Sequence, residues 1–129
     1  SVDVALSIFA PRISAVIHRI MARHSLLLIV MPGPAHLTAL RNQAMANVRD
    51  TSHKVQQELD KLLPHFNLVD QSSLTYPMTL KQPDLQHIYL MTPLYWRSTR
   101  EARESIKNTP TMDLTTDFII LTLTPKINT

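Results

Sequence analysis

One stretch constrains this chain more than any other: Ser25–Arg41, SLLLIVMPGPAHLTALR. It holds the longest apolar run and the only glycine, Gly33, set between Pro32 and Pro34. Six consecutive apolar residues, Leu26–Met31, cannot alternate between a dry and a wet face. Both faces are therefore expected to be covered, as in a buried parallel strand. The Pro-Gly-Pro turn ends the strand, because proline lacks an amide proton and fixes its own backbone. A helix start should follow, and turns after strands are where open α/β sheets place their sites. The single glycine also excludes a dinucleotide-binding GxGxxG loop and a P-loop, since each needs several.

The remaining elements arrange themselves around this stretch. Val2–Phe9, VDVALSIF, reads as a second buried strand, ended at Ala10–Pro11. Ile13, Val16, Ile17, Ile20 and Met21 recur at helical spacing, which predicts an amphipathic helix over Ile13–His24 with Arg23 and His24 at its C-terminal end. So compact a strand-helix-strand unit implies parallel strands and a right-handed crossover. A helix beginning near Ala35–His36 carries Leu37, Leu40 and Ala44, and a polar break is expected over Asn47–Ser52. Val55, Leu59, Leu62 and Leu63 form another helical face, stopped before Pro64. Phe66–Leu80 is a long strand bent at Tyr76–Pro77. Pro83–Thr92 is a helix opened by proline, Pro93–Ser98 a loop around Trp96, and Thr99–Asn108 a short charged helix. Asp113–Thr124 is the last strand. The fold class is α/β, with the order β-α-β-α-α-β-α-α-β and the last two strands expected as an antiparallel pair at a sheet edge.

Composition narrows the chemistry. The chain has 129 residues, 44% hydrophobic and 18% charged, which suits one globular domain. It has no cysteine, so disulfides, thiol catalysis and thiolate zinc sites are all removed. The six histidines form no HxH or HExxH pair, and no metal site is expected. No serine sits on a nucleophile elbow, which leaves hydrolase chemistry unsupported. The six methionines read as core filler. No apolar run approaches the roughly 20 residues of a membrane helix. The N-terminus lacks the features of a signal peptide, so a cytoplasmic location is expected. A net charge of +3 favours an anionic partner only mildly.

Several motifs together resemble a known family. IFAP (Ile8–Pro11), PGPAHL (Pro32–Leu37), YPM (Tyr76–Met78), MTPLYWR (Met91–Arg97) and TDF (Thr116–Phe118) occur in this order. They look like the C-terminal half of the bacterial 23S ribosomal RNA guanine-N1 methyltransferases of the RlmA type. The resemblance implies part of a class I, Rossmann-like, S-adenosylmethionine-dependent methyltransferase domain, whose sheet ends in a reversed strand. On that template the four strands correspond to strands four to seven, and residues 83–110 form an inserted helical segment on the substrate side. The family's zinc module and its glycine-rich cofactor loop have no counterpart in this sequence. Where the family usually carries an acidic residue after IFAP, this chain has Ala15–Val16. Where it has a Pro-Gly-Gly turn, this chain has Arg23–His24–Ser25.

The resemblance also implies a site. Ile8, Phe9, Ala10 and Pro11 would line the pocket for S-adenosylmethionine and the target base. His36 would hydrogen-bond the RNA. Trp96, Arg97, Arg100 and Arg103 form an aromatic and basic cluster suited to gripping structured RNA. The plainer reading has Trp96 anchoring its loop to the core while the arginines pair with Glu101 and Glu104. No catalytic base can be named, since Asp3 lies at the wrong strand end and the direction of Asp117 is open. The chain then reads as a fragment of a methyltransferase acting on a guanine of 23S ribosomal RNA, inactive alone. Its partners would be the RNA and either a missing N-terminal half or a second copy. The alternative is a non-catalytic module that pairs through its exposed strand edge. A small RNA-binding domain of another kind lacks any RRM, KH or OB signature.

Overall fold

The computed structural model of the chain describes residues 1–45 and 53–127. Its elements are β1 (Val2–Ile8), α1 (Ser14–Ile20), β2 (Met21–Pro32), α2 (Thr38–Ala44), α3 (Lys54–Leu62), β3 (Phe66–Lys81), α4 (Asp84–Met91), α5 (Leu94–Arg97), α6 (Arg100–Lys107) and β4 (Thr111–Pro125). The strands form one sheet in the order β1-β2-β4-β3. β1 runs parallel to β2, as the crossover required, and β4 runs antiparallel to β2. Between β3 and β4, Thr79 meets Asp113, Thr75 meets Asp117 and His65 meets Lys126. As one residue number falls the other rises, which is antiparallel pairing. The α/β class and the edge pair are as expected.

Three local expectations are corrected. The first helix ends at Ile20 rather than His24, so Arg23 and His24 lie in β2. The periodicity there turns from helical to alternating: Met21, Ser25, Leu27, Ile29 and Met31 are buried and the residues between them less so. Leu94–Arg97 is a single helical turn where a loop was expected. β2 also continues through Pro32, and the buried Gly33 has no positive φ; the left-handed residues are Phe9 and Leu37, at φ 51° and 52°. The break expected over Asn47–Ser52 falls outside the described residues.

The chain divides into two compact units, one of residues 1–34, 51–74 and 118–129, the other of 35–50 and 75–117. In the first, Leu27, Ile29 and Met31 of β2 pair with Leu123, Leu121 and Ile119 of β4, all on one face. Leu59 and Leu62 of α3, Phe66, and the half-buried Ile17 of α1 cover that face. The opposite face is also apolar. Val4, Leu6 and Ile8 of β1 stand there beside Leu26, Leu28 and Val30, and the three β1 residues are 53%, 65% and 60% exposed. The run Leu26–Met31 was expected to be covered on both sides; among the described residues one side only is covered. β1 is also an edge strand, and its outer row of backbone groups has no neighbour in the sheet.

In the second unit, Leu37, Leu40 and Ala44 pack with Leu85 and Tyr89 of α4, Ile106 of α6, and Met112 and Leu114 of β4. Gln82 ties the segment after α6 to the end of β3, its amide donating to the carbonyls of Ile106 and Thr109 at 3.0 Å each. The Thr99 hydroxyl caps α6 by accepting the Ala102 amide.

Phe66→Ala, which deletes a fully buried ring, is expected to lower stability by about 3–5 kcal/mol in urea unfolding. Leu6→Asp is expected to stay within about 0.5 kcal/mol and to reduce binding of an apolar dye, because Leu6 adds to the uncovered face rather than the core.

Candidate functional site

The Ile8–Pro11 turn follows directly from the β1–β2 pairing. Register carries Ile8 opposite Val30, and the Phe9 amide still donates to the Val30 carbonyl at 3.0 Å. The backbone then turns left-handed at Phe9. For a residue with a Cβ this costs about 1–2 kcal/mol, a kind of strain that concentrates at functional turns. Ile8, Phe9, Ala10 and Pro11 are all exposed, and the Phe9 ring tilts against Phe118 at 5.7 Å. The structure therefore puts the four expected residues on one open apolar lip.

Arg12 holds that lip in shape. Its side chain is 9% exposed and donates to the Ser7 hydroxyl (3.1 Å), the Ala10 carbonyl (3.0 Å) and Glu58 on α3 (2.8 Å). Sequence reasoning missed Arg12, since its carboxylate partner lies 46 positions away and no local pattern links them.

His36 belongs to the second unit, with Asp117. The Asp117 carboxylate is buried and accepts from the Ala35 amide (3.0 Å) and the Thr75 hydroxyl (2.9 Å). The Ala35 amide, just ahead of α2, is thus taken up by the chain's own carboxylate. The Asp117 amide donates to Nδ1 of His36 at 3.1 Å, so Nδ1 carries no proton and the neutral ring holds it on Nε2. Burial lowers the pKa of His36 below its usual value; the Asp117 charge opposes this and Arg41 adds to it. The direction of Asp117, open from sequence, is inward, as an organiser of the turn around His36.

The Trp96 cluster differs from its plainer reading. Tyr89 is fully buried, Tyr95 meets it edge-on at 5.3 Å, and Trp96 meets Tyr95 edge-on at 5.2 Å. Trp96 itself is 77% exposed, so the core anchors are Tyr89 and Tyr95, and the indole stands outside them. Arg103 lies over the Tyr95 ring at 4.2 Å and donates through Nε to the Tyr95 carbonyl, which helps to fix the ring. Arg97 and Arg100 are exposed. The pairing of these arginines with Glu101 and Glu104 does not form: among the described residues both ion pairs use Glu58. Among the described residues no three His, Cys, Asp or Glu gather as metal ligands, and no helix is long and apolar enough to cross a membrane.

No protein-family model matches the chain. Over 92 residues, 71% of its length, the chain is 35% identical to the 23S rRNA (guanine(748)-N(1))-methyltransferase of Streptomyces fradiae and covers 32% of that protein. Over 119 residues it is 27% identical to YxjB of Bacillus subtilis (strain 168), a provisionally assigned 23S rRNA (guanine-N(1)-)-methyltransferase, covering 92% of the chain and 42% of YxjB. The crystal structure of a protein of unknown function from Deinococcus radiodurans R1 superposes with a TM-score of 0.51 at 14% identity, over 96% of this chain and 50% of the other; it shares the fold. The chain is thus similar to the C-terminal part of 23S ribosomal RNA guanine-N1 methyltransferases, as its motifs suggested, and its α/β fold has a mixed four-stranded sheet. It spans about a third to two fifths of the curated relatives it matches.

The His36 arrangement sets a pH dependence. The folded imidazole holds its proton less firmly than the unfolded one, whose pKa is about 6.5. Below that pH the unfolded chain binds more protons, so this contribution is full above about pH 6.5 and is lost as the pH falls toward the lower folded value. His36→Asn keeps an acceptor for the Asp117 amide without titrating. Its melting temperature is expected to drop less than the parent's between neutral and mildly acidic buffer.

Proposed function

We propose that this chain is the RNA-facing part of a cytoplasmic, S-adenosylmethionine-dependent methyltransferase that modifies N1 of a guanine in 23S ribosomal RNA. The observation that carries the reading is Trp96: an exposed indole set edge-on against Tyr95, which rests in turn on buried Tyr89, with exposed Arg97 and Arg100 in the same segment and no carboxylate paired to them among the described residues. Energy spent exposing so large a ring is recovered when a base stacks on it, roughly 1–3 kcal/mol per base. Arg97 and Arg100 would take phosphates. Arg103, engaged on Tyr95, acts as a positioning residue for the indole. His36, neutral and with its proton on Nε2, offers the RNA a hydrogen-bond donor rather than a base.

S-adenosylmethionine, when bound, supplies a methyl group on a sulfonium sulfur, and the guanine N1 proton must leave as the new bond to carbon forms. The fit of this chain to that cofactor is partial. Ile8–Pro11 provides an apolar wall for it, shaped by the Phe9 turn and the Arg12 clamp. A glycine-rich loop for the rest is absent from the sequence. The chain alone is therefore expected to bind the cofactor poorly and to be inactive.

A second reading, a module that works by pairing with another chain, is favoured by the exposed row Val4, Leu6, Ile8 at the edge of the sheet. It expects light scattering to report a dimer, or a complex with a polypeptide supplying the cofactor half. A stable monomer at high concentration counts against it.

Trp96 is the only tryptophan, so its fluorescence reports directly. Titration with a 23S ribosomal RNA hairpin is expected to quench it, and Trp96→Ala to weaken binding by roughly 1–3 kcal/mol. Emission unchanged at saturating RNA would overturn the stacking role. A micromolar calorimetric affinity for S-adenosylmethionine would overturn the incompleteness of the cofactor site.

A further inference from the structure

The end of the first unit's sheet where β2 enters and β4 leaves carries a feature that the proposed function leaves unused. Two adjoining open clefts, of about 520 and 380 Å³, share Arg23, Pro125 and Ile127. His24 lines the larger, and His18 and Lys126 line the smaller. Among the described residues no Asp or Glu lines either one.

Lys126 is placed through its backbone, and neither it nor Arg23 forms an ion pair among the described residues. The Lys126 amide donates to the His65 carbonyl at 2.9 Å, and the Lys126 carbonyl accepts from Nε2 of His18 at 2.8 Å. His18 is itself set by its neighbours, its ring lying 5.8 Å from that of His65, whose Nδ1 meets the Ser14 hydroxyl. The lysine backbone is thus pinned on both sides while the residue stays exposed. Arg23 projects from the regular strand β2, is exposed, and makes no ion pair among the described residues. Pro125 and Ile127 give both clefts an apolar part, beside the polar Ser25, Asn67 and Thr124 of the larger. Exposed cations on clefts of mixed polar and apolar lining, with no carboxylate among the described lining residues, match a phosphate flanked by sugar rather than a free metal or an acidic pocket's ligand.

We propose that this cleft binds a backbone phosphate of RNA, with Arg23 and Lys126 as its cationic contacts. The proposal rests on the reading of the chain as RNA-facing and adds a site to it. Arg23 stands nine residues before Pro32 along one strand, roughly 30 Å at about 3.3 Å per residue. A phosphate held there belongs to RNA flanking the reacting base, so it contributes affinity and register without reading sequence.

The test uses the whole chain and a fluorescent 23S ribosomal RNA hairpin, with anisotropy measured across a series of KCl concentrations. The double variant Arg23→Gln/Lys126→Gln changes exposed residues only, and its melting temperature confirms folding. It is expected to bind roughly tenfold more weakly at low salt and to show a log K against log salt slope shallower by about 1, as loss of one phosphate contact requires. Trp96→Ala is measured alongside. If Trp96→Ala weakens binding and the double variant changes neither affinity nor slope, the cleft proposal falls and the RNA-facing reading stands. If the parent chain binds no RNA, both fall. If the double variant loses binding of inorganic phosphate while RNA affinity is unchanged, the cleft belongs to a free anion and the RNA contact is overturned.

Discussion

The parallel pairing of β1 with β2 is the interaction on which the rest of this chain depends. It sets Ile8 opposite Val30 and extends one hydrogen bond further, to the Phe9 amide, before the backbone turns left-handed. That bond fixes where the turn occurs and so where the Ile8–Pro11 lip is displayed. Arg12 and Glu58 then lock the turn to α3, a helix that also covers the buried face of the same sheet. The covered core and the candidate pocket wall thus rest on shared elements. Strain at Phe9 is tolerable because hydrogen bonds hold the backbone on both sides of it.

In the second unit a polar knot replaces the glycine flexibility that turns of this kind often use. Asp117 gathers the Ala35 amide, the Thr75 hydroxyl and, through its own amide, His36. Leu37 takes the left-handed conformation, and its amide donates to Thr115. Buried polar groups are costly unless satisfied. Satisfied, they specify one geometry, and they fix the tautomer of His36.

The two units expose apolar surface in contrasting ways. On the sheet, Val4, Leu6 and Ile8 form a flat row, the kind of surface that packs against another layer of structure. At α5 a single indole stands at the end of a chain of edge-on rings, reinforced by a cation over Tyr95. A flat row suits burial against polypeptide; a lone, supported ring beside exposed arginines is what the proposed RNA contact rests on.

Residues close in sequence made much of this legible. The apolar run Leu26–Met31 announced the central strand, the spacing of Leu59 and Leu62 announced α3, and Ile8–Pro11 marked a strand-end turn. The end of α1 was misplaced because Met21 fits a helical and an alternating pattern equally; only its pairing with Val2 in the sheet selected strand. The Arg12–Glu58 clamp and the inward carboxylate of Asp117 were invisible because their partners lie 42 to 82 positions away. The sequence by itself determined the α/β class, the parallel unit and the positions of its turns, since these follow from local periodicity and from proline and glycine stereochemistry. Tertiary structure alone decided which face of β2 is covered, which protonated form His36 adopts, and that Trp96 stands in solvent. Each depends on groups distant in sequence meeting in space, and local patterning carries no record of such meetings.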